Sequence, residues 1–123
     1  MEGRKTLLWL DDYRNPFDAE TNWLVFSPVP LKDIHVVWVR NYNGFVDWIK
    51  ENGVPYAVCL DHDLGDDSEG KTGKDAANFL FDWCIDHDKP IPFFNSQSSN
   101  PAGRENIMKY LEQARETLNN GKE

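Results

Sequence analysis

Apolar positions along the chain fall into four short runs and three longer periodic stretches. The runs cover residues 6–10, 34–39, 56–60 and 91–95. Each has strand length, and their near-continuous apolar character suits strands buried on both faces of a parallel sheet. The periodic stretches predict helices. Over residues 42–51, Phe45, Trp48 and Ile49 share one face, Asn41 or Asn43 can cap the start, and Asn52-Gly53 ends it. Residues 73–87 open at Thr72, with Asp75 three positions on, close to a capping box. Ala76, Ala77, Leu80, Trp83, Cys84 and His87 mark that helix's inner face, and His87 also suits its negative end. A third helix starts at Pro101 behind Asn100 as N-cap, carries Ile107, Leu111, Ala114 and Leu118, and stops at Asn119-Asn120-Gly121. Residues 13–30 are irregular, because Asn15-Pro16 and Ser27-Pro28-Val29-Pro30 break helices. A short turn at residues 17–20 is expected there, with Phe17, Trp23 and Phe26 pinning the segment to the body.

The order strand, loop, strand, helix, strand, helix, strand, helix implies an α/β domain with right-handed crossovers. A four-stranded parallel sheet in the order 2-1-3-4 puts the first and third strands side by side at a switch point. Both of those strands end in acid, in Leu10-Asp11-Asp12 and in Leu60-Asp61-His62-Asp63. Asp11, Asp12, Asp61 and Asp63 are therefore expected to converge at one sheet edge. Crowded carboxylates repel in a low-dielectric pocket, and a hard cation relieves them. Mg²⁺, or Mn²⁺ in its place, fits an all-oxygen set, and His62 points the other way in an extended segment. The loop Ser96-Gln97-Ser98-Ser99-Asn100 reaches the same edge. Its hydroxyls, its amide and the first N–H groups of the third helix suit an anion. Residues 64–71 form a Gly-rich acidic loop beside the site, placed to gate it.

Charge and cysteine content narrow the function. With 21 acidic against 13 basic residues the chain carries a formal charge of −8, which excludes broad phosphate-backbone binding but not a small phosphorylated ligand. Cys59 and Cys84 sit in apolar segments without metal-ligand spacing and read as buried free thiols. No apolar run approaches membrane-spanning length and no signal peptide opens the chain, so a cytoplasmic location is expected. His35 is assigned no chemistry. One domain over residues 1–123 is expected, as a monomer or weak dimer.

Three motifs in order, Leu10-Asp11-Asp12-Tyr13-Arg14-Asn15-Pro16, Leu60-Asp61-His62-Asp63-Leu64-Gly65 and Ser98-Ser99-Asn100-Pro101-Ala102-Gly103-Arg104-Glu105-Asn106-Ile107, resemble those of cyclic-phosphate-processing receiver-like domains of bacteria and phages. These are relatives of the response-regulator receivers. The resemblance implies a receiver-like (flavodoxin-like) three-layer sandwich. It implies Mg²⁺ at Asp11, Asp12 and Asp61, and a catalytic set of Asp61, Asp63, Gln97 and Ser98. Asp63 would sit behind the metal or act as a base. Arg14, Ser96, Asn100, Gly103 and Arg104 would contact the phosphate. In receivers the third Asp is phosphorylated and a hydroxyl follows strand four; Asp61 and either Ser96 or Ser98 match those positions. Receivers also carry a fifth strand and a lysine, for which this chain has no room. In the family a His commonly precedes the Ser of the last motif; here Gln97 stands there, in what reads as a surface loop, and an amide cannot shuttle protons. Three functions follow: a metal-dependent phosphoesterase acting on a small phosphorylated ligand or RNA end, a phosphoacceptor switch, and a non-catalytic sensor of a phosphorylated ligand.

Overall fold

The computed structural model describes residues 5–65 and 70–120. Its elements are β1 (Lys5–Leu10), β2 (Ile34–Val39), α1 (Tyr42–Asn52), β3 (Ala57–Leu60), α2 (Gly73–His87), β4 (Phe93–Asn95) and α3 (Pro101–Asn120). All strand pairs are parallel, in the order β2-β1-β3-β4 that the element sequence predicts. Leu10 pairs with Leu60, so both acidic ends leave the sheet at one level. The ladder continues one bond further on each side, from Asp61 N to Leu10 O (3.0 Å) and from Asp11 N to Val39 O (3.1 Å).

Side-chain alternation divides the core in two. Leu8, Leu10, Val58 and Leu60 face Phe45 and Ile49 of α1, Ala76, Leu80 and Cys84 of α2, and Ile107 and Leu111 of α3. All three helices thus lie on one face. Leu7, Trp9, Ala57 and Cys59 face the other way, where Val29, Trp23, Leu24 and Phe26 cover them. The third layer is therefore the segment between β1 and β2, stiffened by one 3-10 turn at Trp23–Phe26. That turn has no cap or periodicity to announce it; packing against Trp9 and Cys59 holds it. The turn expected at residues 17–20 forms through Asn15 and Asp18, whose side chains accept from Phe17 N (2.8 Å) and Glu20 N (3.0 Å). Trp23 and Phe26 pin the segment as expected, but Phe17 does not: it is 61% exposed.

Capping follows the sequence closely. Asn41 accepts from Gly44 N, Thr72 and Asp75 complete a capping box, and Asn100 accepts from Gly103 N. β4 starts two residues later than its apolar run, because Pro92 has no N–H for the ladder. His87 is exposed and stacks on Trp83 at 3.8 Å instead of facing the core. Cys59 and Cys84 are buried free thiols. Of the proposed gating loop, residues 66–69 lie outside the described residues. No described helix is long and apolar enough to cross a membrane.

The chain leaves β3, turns at His62 and returns into α2 by a bond from Gly73 N to His62 O (2.9 Å). A Cβ at Gly73 would overlap the Asp61 carbonyl and stand 3.1 Å from His62 Cα. Both are backbone atoms that cannot rotate away. Gly73→Ala should therefore destabilise the fold by about 2 kcal/mol or more, as overpacking does, despite alanine's better helix propensity. A urea titration measures it; a stabilised variant would mean α2 can shift freely against the β3 end.

Candidate functional site

Asp11 is the first residue beyond β1 and is fully buried. Its Oδ1 accepts from Tyr13 N (3.0 Å) and Arg14 N (2.9 Å), an Asx turn that reverses the chain. The reversal brings the Arg14 side chain inward, where only 4% of it is exposed. Arg14 Nη1 lies 3.2 Å from Asp11 Oδ2 and 3.5 Å from Asp61 Oδ2. The rings of Tyr13 and Trp23 lie 4.6 and 5.2 Å from the guanidinium carbon. Two indole N–H groups fix the backbone here, Trp9 on Arg14 O and Trp38 on Asp11 O, both at 2.9 Å. Gln97, expected in a surface loop, is instead 2% exposed, and its Nε2 donates to Leu10 O (2.9 Å) and Asp11 Oδ2 (3.2 Å). It is drawn in because the end of β1 offers two acceptors that water does not reach. Each oxygen of Asp11 thus takes two donors, which fills a carboxylate's acceptor sites.

Oxygens of Asp11, Asp12 and Asp61 lie within 4.8 Å of one another. Burial, then the charge on Asp11, push the Asp61 carboxyl up to about 7; Arg14 opposes this, Asp12 adds to it, and the nearby Ser98 hydroxyl opposes it again. Asp12 Oδ1 and Gln97 Oε1 are buried and accept from no described donor. Once Asp61 is ionised, three carboxylates against one guanidinium leave two negative charges. A hard divalent cation such as Mg²⁺ fits that charge and the all-oxygen donor set. The oxygens open to it belong to Asp12 and Asp61, whereas Asp11 is occupied in holding Arg14 and Gln97.

Other expected site residues stand further out or hold the frame. Asp63 does not join the cluster. It accepts from Asn100 Nδ2 (3.2 Å) and contacts His62 Nδ1 (2.8 Å); those bonds, His62 first, hold its carboxyl below the usual range. His62 packs against Gly103, where a Cβ would strike its ring. Of the two serines, Ser96 is buried and donates to Leu60 O (2.7 Å), so Ser98 is the hydroxyl beside Asp61. Arg104 was read as a phosphate ligand, but its Nε and Nη2 are bonded to Ser96 O (2.9 Å) and Asn95 Oδ1 (3.1 Å). Arg14 likewise neutralises protein carboxylates in place of a ligand. Asn100 caps α3 through Gly103 N, which removes one donor from the anion cradle expected there. Two positions escaped the sequence reading. Arg40 grips Asp12 O through Nε (3.2 Å) and Nη2 (2.7 Å), and its place directly after the second run was the available signal. Asn95 ties the third layer to the site loop, donating to Phe26 O (2.8 Å).

A raised carboxyl pKa has a sign in stability. From about pH 4 to about pH 7 folded Asp61 keeps a proton that the unfolded chain has released, so its contribution falls as pH rises and then levels off. The loss approaches roughly 4 kcal/mol in metal-free protein at the usual 1.36 kcal/mol per pKa unit. Asp61→Asn leaves Arg14 paired with Asp11 and removes the fall. Urea midpoints in EDTA should show the two proteins similar at pH 4.5 and the variant more stable at pH 8. Parallel pH curves would mean that Asp61 ionises freely.

Comparisons with known proteins bear on the fold and the family. The structure resembles a crystal structure of NtrX from Brucella abortus in complex with ADP, with a TM-score of 0.53 at 15% identity over 95% of this chain. A second NtrX structure from the same organism gives 0.47 at 14% identity. The chain spans 28% of the NtrX chain's length, so this likeness concerns the receiver fold alone. No curated protein matches the sequence. The description of the cyclic-phosphate processing receiver domain matches residues 6–113, which include all three acidic-cluster residues and the loop after β4. The chain belongs to the family of cyclic-phosphate processing receiver domains.

Proposed function

We propose that the carboxyl edge of the sheet binds Mg²⁺ together with a phosphate ester, and that the ester is a cyclic phosphate of a nucleotide or RNA end. The carrying observation is the cluster of Asp11, Asp12 and Asp61, with its two uncompensated charges and the unpartnered Asp12 Oδ1. Membership of the family supports the cyclic phosphate. Mg²⁺, or Mn²⁺, held by Asp12 and Asp61 would supply charge neutralisation and polarisation of a phosphoryl oxygen.

The residues divide the remaining work. Asp11 holds Arg14 and Gln97, which fixes the two open carboxylates. Ser98 Oγ accepts from Asn100 N (3.1 Å), and its hydroxyl lies near enough to Asp61 to favour the ionised carboxylate. Asp63 is the carboxylate of this edge outside the cluster, and its bonds to His62 and Asn100 keep it ionised at neutral pH. In the proposed reaction a water oxygen forms a bond to phosphorus while Asp63 takes the water's proton. The bond from phosphorus to the 2′ or 3′ ring oxygen breaks, and that oxygen leaves protonated from solvent. Gln97 positions Asp11 and moves no proton, so turnover is expected to be slow. A second reading, phosphorylation of Asp61, is favoured by the Ser98 hydroxyl beside it.

The test combines calorimetry with turnover. Mg²⁺ should bind the native protein weakly to moderately, and about tenfold or more weakly after Asp12→Asn or Asp61→Asn. Adenosine 2′,3′-cyclic phosphate should open to a monoester with Mg²⁺ and not with EDTA, and Asp63→Asn should slow it by about 10²-fold or more, as loss of a general base does. Unchanged Mg²⁺ affinity in both carboxylate variants would refute the site. A stable mass gain of one phosphoryl group on Asp61 from acetyl phosphate, without cyclic-phosphate opening, would establish the second reading.

A further inference from the structure

Among the described residues three aromatic rings are exposed, Tyr13, Phe17 and Phe93. Tyr13 follows directly on the acidic pair, with Phe17 four residues further on, and Tyr13 is 63% exposed although its neighbour Arg14 is buried. The Asx turn on Asp11 creates this contrast by sending successive side chains in opposite directions. The guanidinium 4.6 Å from the Tyr13 ring is the one that touches Asp11 and Asp61. One group therefore separates the ring from the carboxylate cluster. A cation on one ring face holds the ring in place, and solvent meets the remainder.

We propose that Tyr13 is a nucleobase-stacking platform, so that the ligand's phosphate enters the acidic pocket while its base lies on the exposed face of the ring. This rests on the phosphate-ester reading above and narrows it to nucleoside phosphates. Bases stack on aromatic rings with little sequence preference because each has a π-face, and the Tyr13 ring beside the cluster offers one to solvent. Tyr13 is fixed before binding, so little side-chain entropy is lost when a base arrives. Purines, with the larger face, bind more tightly than pyrimidines. Phe17 lies in the same segment, but no contact links its ring to the cluster.

The experiment measures Mg²⁺-dependent affinities for two probes: adenosine 2′,3′-cyclic phosphate, and ethylene phosphate, which has the same five-membered cyclic phosphate without ribose or base. Tyr13→Ala should weaken the adenosine probe by roughly 5- to 100-fold, the range of a lost base–aromatic stack. It should leave ethylene phosphate unchanged, which also shows that the pocket still folds. Tyr13→Phe should keep both affinities, and Phe17→Ala should change neither. Equal loss of both probes in Tyr13→Ala would overturn the proposal, because the ring would then act only by holding Arg14. No loss of either probe would overturn it while the phosphate-ester reading stood. If the native protein binds neither probe with Mg²⁺, that reading fails and the platform falls with it.

Discussion

The buried guanidinium of Arg14 between Asp11 and Asp61 is the contact on which the rest of the carboxyl edge depends. β1 and β3 are adjacent and in register, so their terminal carboxylates must meet. Two buried carboxylates side by side cannot both stay ionised without a counter-charge. Arginine is suited to the place, since it keeps its charge on burial, its Nη1 lies near both carboxylates, and its planar face lies against rings. A buried pair of this kind adds little net stability, because desolvation offsets the attraction. Removing Arg14 is another matter: it leaves buried carboxylates without a counter-charge, at about 3–5 kcal/mol. Arg14 thus specifies the arrangement more than it stabilises it.

This contact also explains how the second face of the sheet is closed without a helix. The segment after β1 has to begin with the Asx turn that delivers Arg14. From there it runs across Trp9 and Cys59 as loop and one 3-10 turn. Its anchors are polar as well as apolar. Trp9 Nε1 reaches Arg14 O, Asn95 reaches Phe26 O, and Phe26 O also accepts from Cys59 Sγ (3.6 Å). These bonds satisfy backbone groups that a helix would have satisfied internally. All three helices can then gather on the opposite face, where their stripes meet Leu8, Leu10, Val58 and Leu60.

Much of this was legible in the residues, and the reason is local. Strands 1 and 3 announce themselves as apolar runs ending in acid, and helix starts at Asn41, Thr72 and Asn100 carry side chains whose capping role needs only a few neighbours. What was not legible depends on direction. An arginine two residues after an acidic pair reads equally as a ligand for phosphate or for the pair itself, and only the turn at Asp11 decides. Gln97 looked like a loop residue because its partners, Leu10 O and Asp11 Oδ2, are 87 and 86 positions away. The partners of Arg104 are hidden for the same reason, its acceptors lying on the backbone and amide of the strand-four end. Long polar side chains report their chemistry in sequence but not their address.

The same placement distributes the cluster's roles unevenly. Three carboxylates at one edge suggest three equivalent ligands, yet the donors around Asp11 use all its acceptor sites, while Asp12 keeps a buried oxygen with none. Protein donors therefore fix Asp11, and the oxygens left for an external partner are those of Asp12 and Asp61. Asp61 is where the conflict remains: burial and two neighbouring carboxylates raise its pKa, and one shared guanidinium and one hydroxyl do not offset them. A cation arriving here would displace a proton from Asp61 near neutral pH, so its apparent affinity would rise with pH until that carboxyl is ionised. The fold has left one buried charge unsettled, at the sheet edge where a bound cation would complete the compensation that Arg14 begins.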